Sequence, residues 1–293
     1  MALSTVQEGF VPFKGYKTYY KIVGRAKAGK LPLLCLHGGP GVPHDYLLPF
    51  EDIVRTGRQV IFYDQLGCGQ SDKPDTDTLF TIKTYVQEVD AVRQALGLKK
   101  LHVLGQSWGG MLTMEYLLTR PKGVACAVIE SSPSDIPLWV EEANRLREDL
   151  PPDQNAILLR HEQAGTTDSP EYQAAMQVFY DRHVCRVVPN PDYVQHAIAN
   201  TGRQYLVMNG PSEFHIVGTI KNWRVTNKLH QIKTPVLFMS GIYDECTPIV
   251  AKQVVDALPN CEWVLWQHSS HMCHVEERPA VMKTVASFIK RFD

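Results

Sequence analysis

No stretch of this 293-residue chain is apolar for long enough to cross a bilayer, because a spanning helix needs about 20 predominantly apolar residues in a row. The segment Met1 to Tyr20 has no apolar core followed by a small-residue cleavage site, so no secretory leader is read there. An excess of one charge is also missing: 30 Lys and Arg face 31 Asp and Glu, a net charge of −1. That balance gives no pull toward a polyanion. With no basic stripe, zinc-finger spacing or RNA-binding signature, neither a nucleic-acid nor a membrane partner is expected. The seven cysteines are scattered, odd in number and mostly inside apolar runs, as at Cys35 and Cys126. They form no disulfide framework and read as reduced, packed thiols of a cytoplasmic protein. Internal repeats and low-complexity segments are absent too. What is present is 44% hydrophobic and 21% charged, ordinary for a soluble chain with a substantial core. The length fits one large domain or one domain with an insertion.

The most informative segment is Val103-Leu104-Gly105-Gln106-Ser107-Trp108-Gly109-Gly110. An apolar run from Leu101 leads into a G-x-S-x-G turn, and Met111 to Leu118 continues with helical apolar spacing. This is the sequence form of a nucleophile elbow, a strained strand-to-helix turn that lifts a serine hydroxyl above a sheet. Alone, G-x-S-x-G matches many ordinary turns. The strand before it and the helix after it favour a catalytic serine. A serine of that kind needs an acid and a histidine later in the chain, in that order, and an oxyanion hole.

The rest of the chain has a regular pattern. Phe10 to Val23 reads as an antiparallel strand pair turning at Lys14-Gly15. Leu31 to Leu36 and Gln59 to Tyr63 read as buried strands. Thr81 to Leu96 has helical periodicity, with Tyr85, Val89, Val92 and Leu96 on one face. Val124 to Ile129 is a further strand. The alternation resumes at Thr234 with strand Val236 to Ser240, helix Ile249 to Leu258, strand Trp263 to Trp266 and helix Pro279 to Phe292. Alternating apolar strands and helices predict a mostly parallel central sheet flanked by helices. Between these parts the chain shows no clear buried strand. Helical stretches Leu138 to Leu150, Pro170 to Val184 and Pro191 to Asn200 are broken at Pro151-Pro152, Gly165 and Pro189. The expectation is an α/β core over residues 1–132 and 228–293, with an all-helical cap, residues 133–227, above the carboxyl edge of the sheet, where ligands bind. Breaks near Pro133 and Asn227 are the expected hinges.

Candidate partners for Ser107 follow from strand ends. Asp244 lies just past the penultimate strand, where a triad acid belongs. Glu245 and Asp64 are rivals, and Asp64 precedes the serine, out of order. The last strand leads into a loop with His268, His271 and His274, of which His271 stands at the right distance for the base. A metal site from His268, His271, Cys273 and His274 lacks an upstream ligand pair of regular spacing, so no metal or cofactor is expected. Cys68, in a Gly-rich loop without an elbow, ranks below Ser107 as a nucleophile. In the expected chemistry His271 takes the serine proton and returns it to the leaving amine. Asp244 fixes the imidazole tautomer and stabilises the imidazolium. The oxyanion hole needs two N–H donors, read as Trp108 and, from the His37 to Gly41 loop, Gly39. His37 is read as a brace for that loop.

These pieces together resemble the proline iminopeptidase family of α/β-hydrolases. The resemblance is carried by His37-Gly38-Gly39-Pro40-Gly41, Asp64-Gln65-Leu66-Gly67-Cys68-Gly69-Gln70-Ser71 and the elbow. It extends through Met208-Asn209-Gly210-Pro211-Ser212-Glu213-Phe214 and Gly218-Thr219-Ile220-Lys221, and is strongest toward tricorn-interacting aminopeptidases and L-amino acid amidases. It implies an α/β-hydrolase fold with a helical cap and release of an unblocked N-terminal residue without a metal or cofactor. It also implies that two glutamates hold the substrate ammonium, and the matching positions are Glu213 and Glu245. A carboxylate pair near a nucleophile is one way for an enzyme to count one residue from an amino end. Trp139 and Tyr205 are the aromatics expected to line the pocket for the first side chain. Gln106 departs from the residue that longer bacterial members often carry before the serine, which loosens any strict preference for proline.

The leading reading is a serine aminopeptidase or amidase for short peptides or amino acid amides. An esterase or specialised metabolic hydrolase is the alternative on the same scaffold, since fold does not choose substrate. A non-catalytic ligand-binding protein of this fold is the third, and the presence of all the catalytic residue types argues against it.

Overall fold

The computed structural model describes residues 5–293; residues 1–4, where the leader reading begins, lie outside the described residues. An eight-stranded sheet runs through the molecule in the order β1-β2-β4-β3-β5-β6-β7-β8. The strands are β1 (Val6–Phe13), β2 (Tyr16–Val23), β3 (Leu33–Leu36), β4 (Val60–Tyr63), β5 (Leu101–Gln106), β6 (Val124–Glu130), β7 (Val236–Gly241) and β8 (Cys261–Trp266). β1 and β2 form an antiparallel hairpin, and β2 joins β4 antiparallel. The remaining pairs, from β4 through β3 to β8, are parallel.

The inner strands β3, β4, β5 and β7 are buried at every position. Helices cover both faces of such strands, which is why they read as continuous apolar runs rather than as alternation. The helices of this layer are α1 (Ile82–Ala95), α2 (Trp108–Leu118), α8 (Pro248–Ala257), the short α9 (Cys273–Glu276) and α10 (Arg278–Lys290). α1 buries Tyr85, Val89 and Val92, the expected stripe, and its first turn is capped by the Thr81 side chain accepting from the Thr84 N–H at 3.1 Å.

From β3 the chain goes to β4 on one side, then returns across β3 to β5 on the other. A crevice forms where strand order reverses in this way. The loops after β3 and β5 both open there, and these are the His37 to Gly41 loop and the serine turn.

Between β6 and β7 the regular elements are helical: α3 (Ile136–Glu148), α4 (Pro152–Ala164), α5 (Pro170–His183), α6 (Asp192–Ala199) and α7 (Gln204–Met208). Two features depart from the sequence reading. Pro151-Pro152 does separate two helices, α3 and α4, but the helix that Pro152 opens had no counterpart in the sequence reading; proline suits a first helical turn, where its missing N–H has no partner to lose. A 3-10 segment, His44–Thr56, follows the β3 loop and contains Pro49. Among the described residues, no helix is long and apolar enough to cross a membrane.

Candidate active site

Ser107 stands between β5 and α2 with φ 56° and ψ −124°, in a region L-residues rarely enter. Close approach of three elements forces the glycines around it. A Cβ at Gly105 would strike the Gly109 carbonyl oxygen, and one at Gly109 would strike the Leu36 carbonyl oxygen of β3. Strand, helix and neighbouring strand therefore touch through backbone, and the strained turn is held in place.

The residues expected to serve as acid and base follow the next strand ends. Asp244 follows β7 and His271 follows β8, and His271 Nδ1 lies 2.8 Å from Asp244 Oδ1. The same carboxylate oxygen accepts the Cys246 N–H at 2.7 Å. Burial disfavours the imidazolium, but the Asp244 charge and hydrogen bond outweigh it and hold His271 above the ordinary histidine range. With Nδ1 engaged by Asp244, Nε2 faces the cleft. Ser107 and His271 line the same cleft, and no hydrogen bond joins their side chains among the described residues.

That cleft encloses about 730 Å³, counting the space open to solvent. Gly39, Ser107, Glu213, Glu245 and His271 line it beside apolar walls such as Met176 and Ile198. Glu245 is fully buried, its two carboxylate oxygens have no hydrogen-bond partner among the described residues, and His271 Nε2 lies 3.7 Å from Oε1. Burial, then the Glu213 and Asp244 charges, push the Glu245 carboxyl well above the usual carboxylate range. Glu213 is half-buried. Burial raises its carboxyl too, against the Tyr205 hydrogen bond and the His271 charge. Two carboxyl groups thus share a poorly solvated wall, and among the described residues no Lys or Arg pairs with either.

Glu213 is held from several sides. The Tyr205 hydroxyl donates to its Oε1 at 2.5 Å, and Trp139 Nε1 donates to its carbonyl at 2.8 Å. Asn209 Nδ2 donates to the Ser212 carbonyl at 3.1 Å. Tyr205 lines the large cleft. Trp139 is instead buried at a smaller pocket of about 250 Å³ against Ser107, shared with Trp108, Met111 and Ile216. Its ring meets His271 edge-on, with centroids 5.7 Å apart. Gly39 and Trp108 flank Ser107 at this smaller pocket. Trp108 opens α2, so its N–H has no partner within the helix.

The remaining candidates separate cleanly. His37 is fully buried, contacts the Gly38 carbonyl through Nδ1 at 3.0 Å and accepts the Gln65 N–H on Nε2 at 2.8 Å. Burial drives it down to about 4, so it is a neutral brace. Asp64 pairs with His44 at 2.7 Å and not with His271. His268 is exposed, and His274 is buried against Glu130. Cys68 is buried, and burial pushes its thiol well up, which leaves little thiolate.

Three residues escaped the sequence reading. Tyr46 accepts the Gly38 N–H at 2.6 Å and donates to Gln106 Oε1 at 2.7 Å. Gln65 accepts Trp108 Nε1–H at 2.8 Å. Tyr180 stands in the cleft wall near Glu213. Tyr46 lies in the 3-10 segment, which has no helical or strand period. An aromatic such as Tyr180 on a helix looks like core until its neighbours are known.

Comparison with known proteins agrees with this fold. Residues 32–278 match the family model described as alpha/beta hydrolase fold, so the chain is an α/β-hydrolase. It is 41% identical over 276 residues to a proline iminopeptidase of Lacticaseibacillus rhamnosus, covering 93% of this chain and 94% of that one. The crystal structure of VinJ superposes with a TM-score of 0.95 at 38% identity, covering 98% and 99%. That of a Mycobacterium smegmatis proline iminopeptidase gives 0.91 at 40% identity, covering 98% of each. The chain belongs to the proline iminopeptidase family.

Proposed function

We propose that this protein is a serine aminopeptidase. It releases an unblocked N-terminal residue, proline or another mainly apolar one, from short peptides or amino acid amides through an acyl-enzyme. The observation that carries this reading is the pair Glu213 and Glu245 facing the cleft beside Ser107 and His271, with Glu245 unpartnered. Buried carboxylates without a counterion are costly. A substrate ammonium supplies the missing cation and is held by charge-assisted hydrogen bonds. An acylated amine brings no charge and leaves both groups unpaired. The names of the similar proteins from Lacticaseibacillus rhamnosus and Mycobacterium smegmatis point the same way.

With the ammonium anchored, the scissile carbonyl lies over Ser107. Oγ attacks as Nε2 of His271 takes its proton, a contact that closes up when substrate binds. The oxyanion is met by the N–H groups of Gly39 and Trp108. Collapse expels the amine, which receives the proton from His271. Water, deprotonated by the same histidine, then cleaves the ester and regenerates Ser107. Residues 133–227 act as the cap that closes the site.

A panel of chromogenic amino acid anilides, free and N-acetylated, tests this with wild type and Ser107→Ala. Turnover of free-amine anilides alone, lost in the variant, is expected. Turnover restricted to blocked substrates or simple esters would move the protein to the esterase reading and take Glu213 and Glu245 out of the mechanism.

A further inference from the structure

Behind the catalytic loops lies a buried pair that this reaction does not use. Glu130 ends β6, His274 follows His271 in the next turn, and both are fully buried. His274 Nδ1 is 2.8 Å from Glu130 Oε1, and Nε2 is 3.0 Å from the Tyr46 carbonyl oxygen. A carbonyl only accepts, so Nε2 carries a proton. Glu130 Oε1 also accepts the His274 main-chain N–H at 3.1 Å and the Cys273 thiol at 2.8 Å. Oε1 thereby gathers three contacts, the arrangement that an ionised oxygen with a donating Nδ1 makes, while Oε2 is buried with no partner among the described residues. The pair is then imidazolium and carboxylate, with the ring stacked on Phe50 at 5.1 Å between centroids.

Each catalytic loop is tied to this pair. The Glu130 carbonyl accepts the Ser107 N–H at 2.9 Å. Its carboxylate grips the chain just beyond His271. Tyr46, which takes the His274 Nε2 proton on its carbonyl, accepts from Gly38 beside Gly39 and donates to Gln106. Gln106 Nε2 closes the ring by donating to the His271 carbonyl at 3.1 Å.

We propose that Glu130 and His274 are positioning residues, a buried imidazolium–carboxylate pair that fixes Ser107, His271 and the Gly39 loop relative to one another. The proposal rests on the serine-hydrolase reading above. A buried ion pair is a poor way to gain stability, since apolar residues of equal volume often do as well. Its directional contacts instead set geometry, and catalysis is sensitive to geometry: a misplacement of about 1 Å can cost about 10²-fold. The charge should therefore matter to kcat and not to substrate binding.

Two measurements test this. The first is the rate at which a fluorophosphonate labels Ser107, read beside kcat and KM for a free-amine anilide, in wild type, His274→Gln, Glu130→Gln and the double variant. Labelling needs the nucleophile, base and oxyanion donors but no ammonium site. The expected result is a fall of about 10- to 100-fold in both labelling rate and kcat, with KM within about two-fold. The double variant should lose no more than the worse single one, as coupled residues do. Folded variants with wild-type rates would overturn the proposal alone. A wild type inert to fluorophosphonate would overturn the serine reading and this proposal with it. The second is ¹⁵N NMR of the His274 ring in the wild type, assigned through the backbone, so it decides even if the variants do not fold. Both ring nitrogens protonated at neutral pH is expected, and a single protonated nitrogen would overturn the pair.

Discussion

The sheet edge and the inserted helices hold their contributions with different firmness. Ser107, Asp244 and His271 sit immediately beyond strands or in short loops after them, and the inner strands are buried at every position. Parts of the insertion are packed more lightly: α4 buries Leu158 alone, and α6 buries only Val194 and Ala197. Glu213 is the one carboxylate of the cleft that comes from the insertion, and side chains of that region hold it. Under the proposed function, bond-making belongs to the layer whose inner strands are buried throughout, and substrate selection draws on Glu213 of the insertion. Variants of the sheet edge should then impair every substrate, while variants of the insertion should discriminate between substrates.

The largest expected effect is that of Ser107→Ala, about 10⁴- to 10⁶-fold in kcat, by analogy with triad serine removal. The loss should be the same for free-amine anilides and for any blocked ester that the wild type turns over in steady-state assays. Asp244→Asn comes next, with about 10⁴-fold, and it carries a pH signature. In the proposed mechanism activity requires neutral His271, so it should fall as pH drops through the folded-state pKa of that residue. Asp244 holds that pKa above the ordinary histidine value. Removing its charge leaves burial as the main influence and moves the acidic limb of kcat/KM to lower pH. A limb that stays in place would mean that another group controls it.

Glu213→Gln should break the symmetry between substrates. Removing one partner of a desolvated charge pair costs about 3–5 kcal/mol, or roughly 10²- to 10⁴-fold in kcat/KM for free-amine anilides. Blocked esters should change little. Equal losses on both classes would show that Glu213 supports the fold and not the ammonium, and the contrast between the two layers would fail.

Much of the sheet edge was legible in the sequence because its signals are local. Apolar runs marked β3 to β8, glycines marked the elbow, and position after a strand end picked Asp244 and His271. The insertion was less legible. α4 buries one residue, so it has no apolar stripe, and its opening prolines look like a break. Tyr46 sits in a segment without a period. The role of Glu213 came from family resemblance, since one glutamate in a loop has no spacing to mark it. Glu130 and His274 are 144 residues apart, and only the folded chain brings them together.

The smallest expected effect concerns stability and isolates the sheet layer from the site. Glu88 of α1 is buried, accepts the Leu66 N–H at 2.9 Å and meets Thr18 of β2. Burial raises its carboxyl to about 8, the hydrogen bonds from Thr18 and Leu66 only partly opposing it. The folded chain therefore keeps a proton that the unfolded chain releases near pH 4.5, where a free glutamate titrates. Between that pH and about 8 the folded state binds more protons, so stability falls as pH rises, by at most about 1.4 kcal/mol per pH unit. Glu88→Gln preserves the shape, can accept from both Thr18 and Leu66 on its amide oxygen, and has nothing to titrate. Its Tm relative to wild type should rise by a few degrees from pH 5 to pH 8, read by calorimetry at both values. A constant difference would mean that Glu88 is already ionised at pH 5 in the fold, with Thr18 and Leu66 compensating its burial fully.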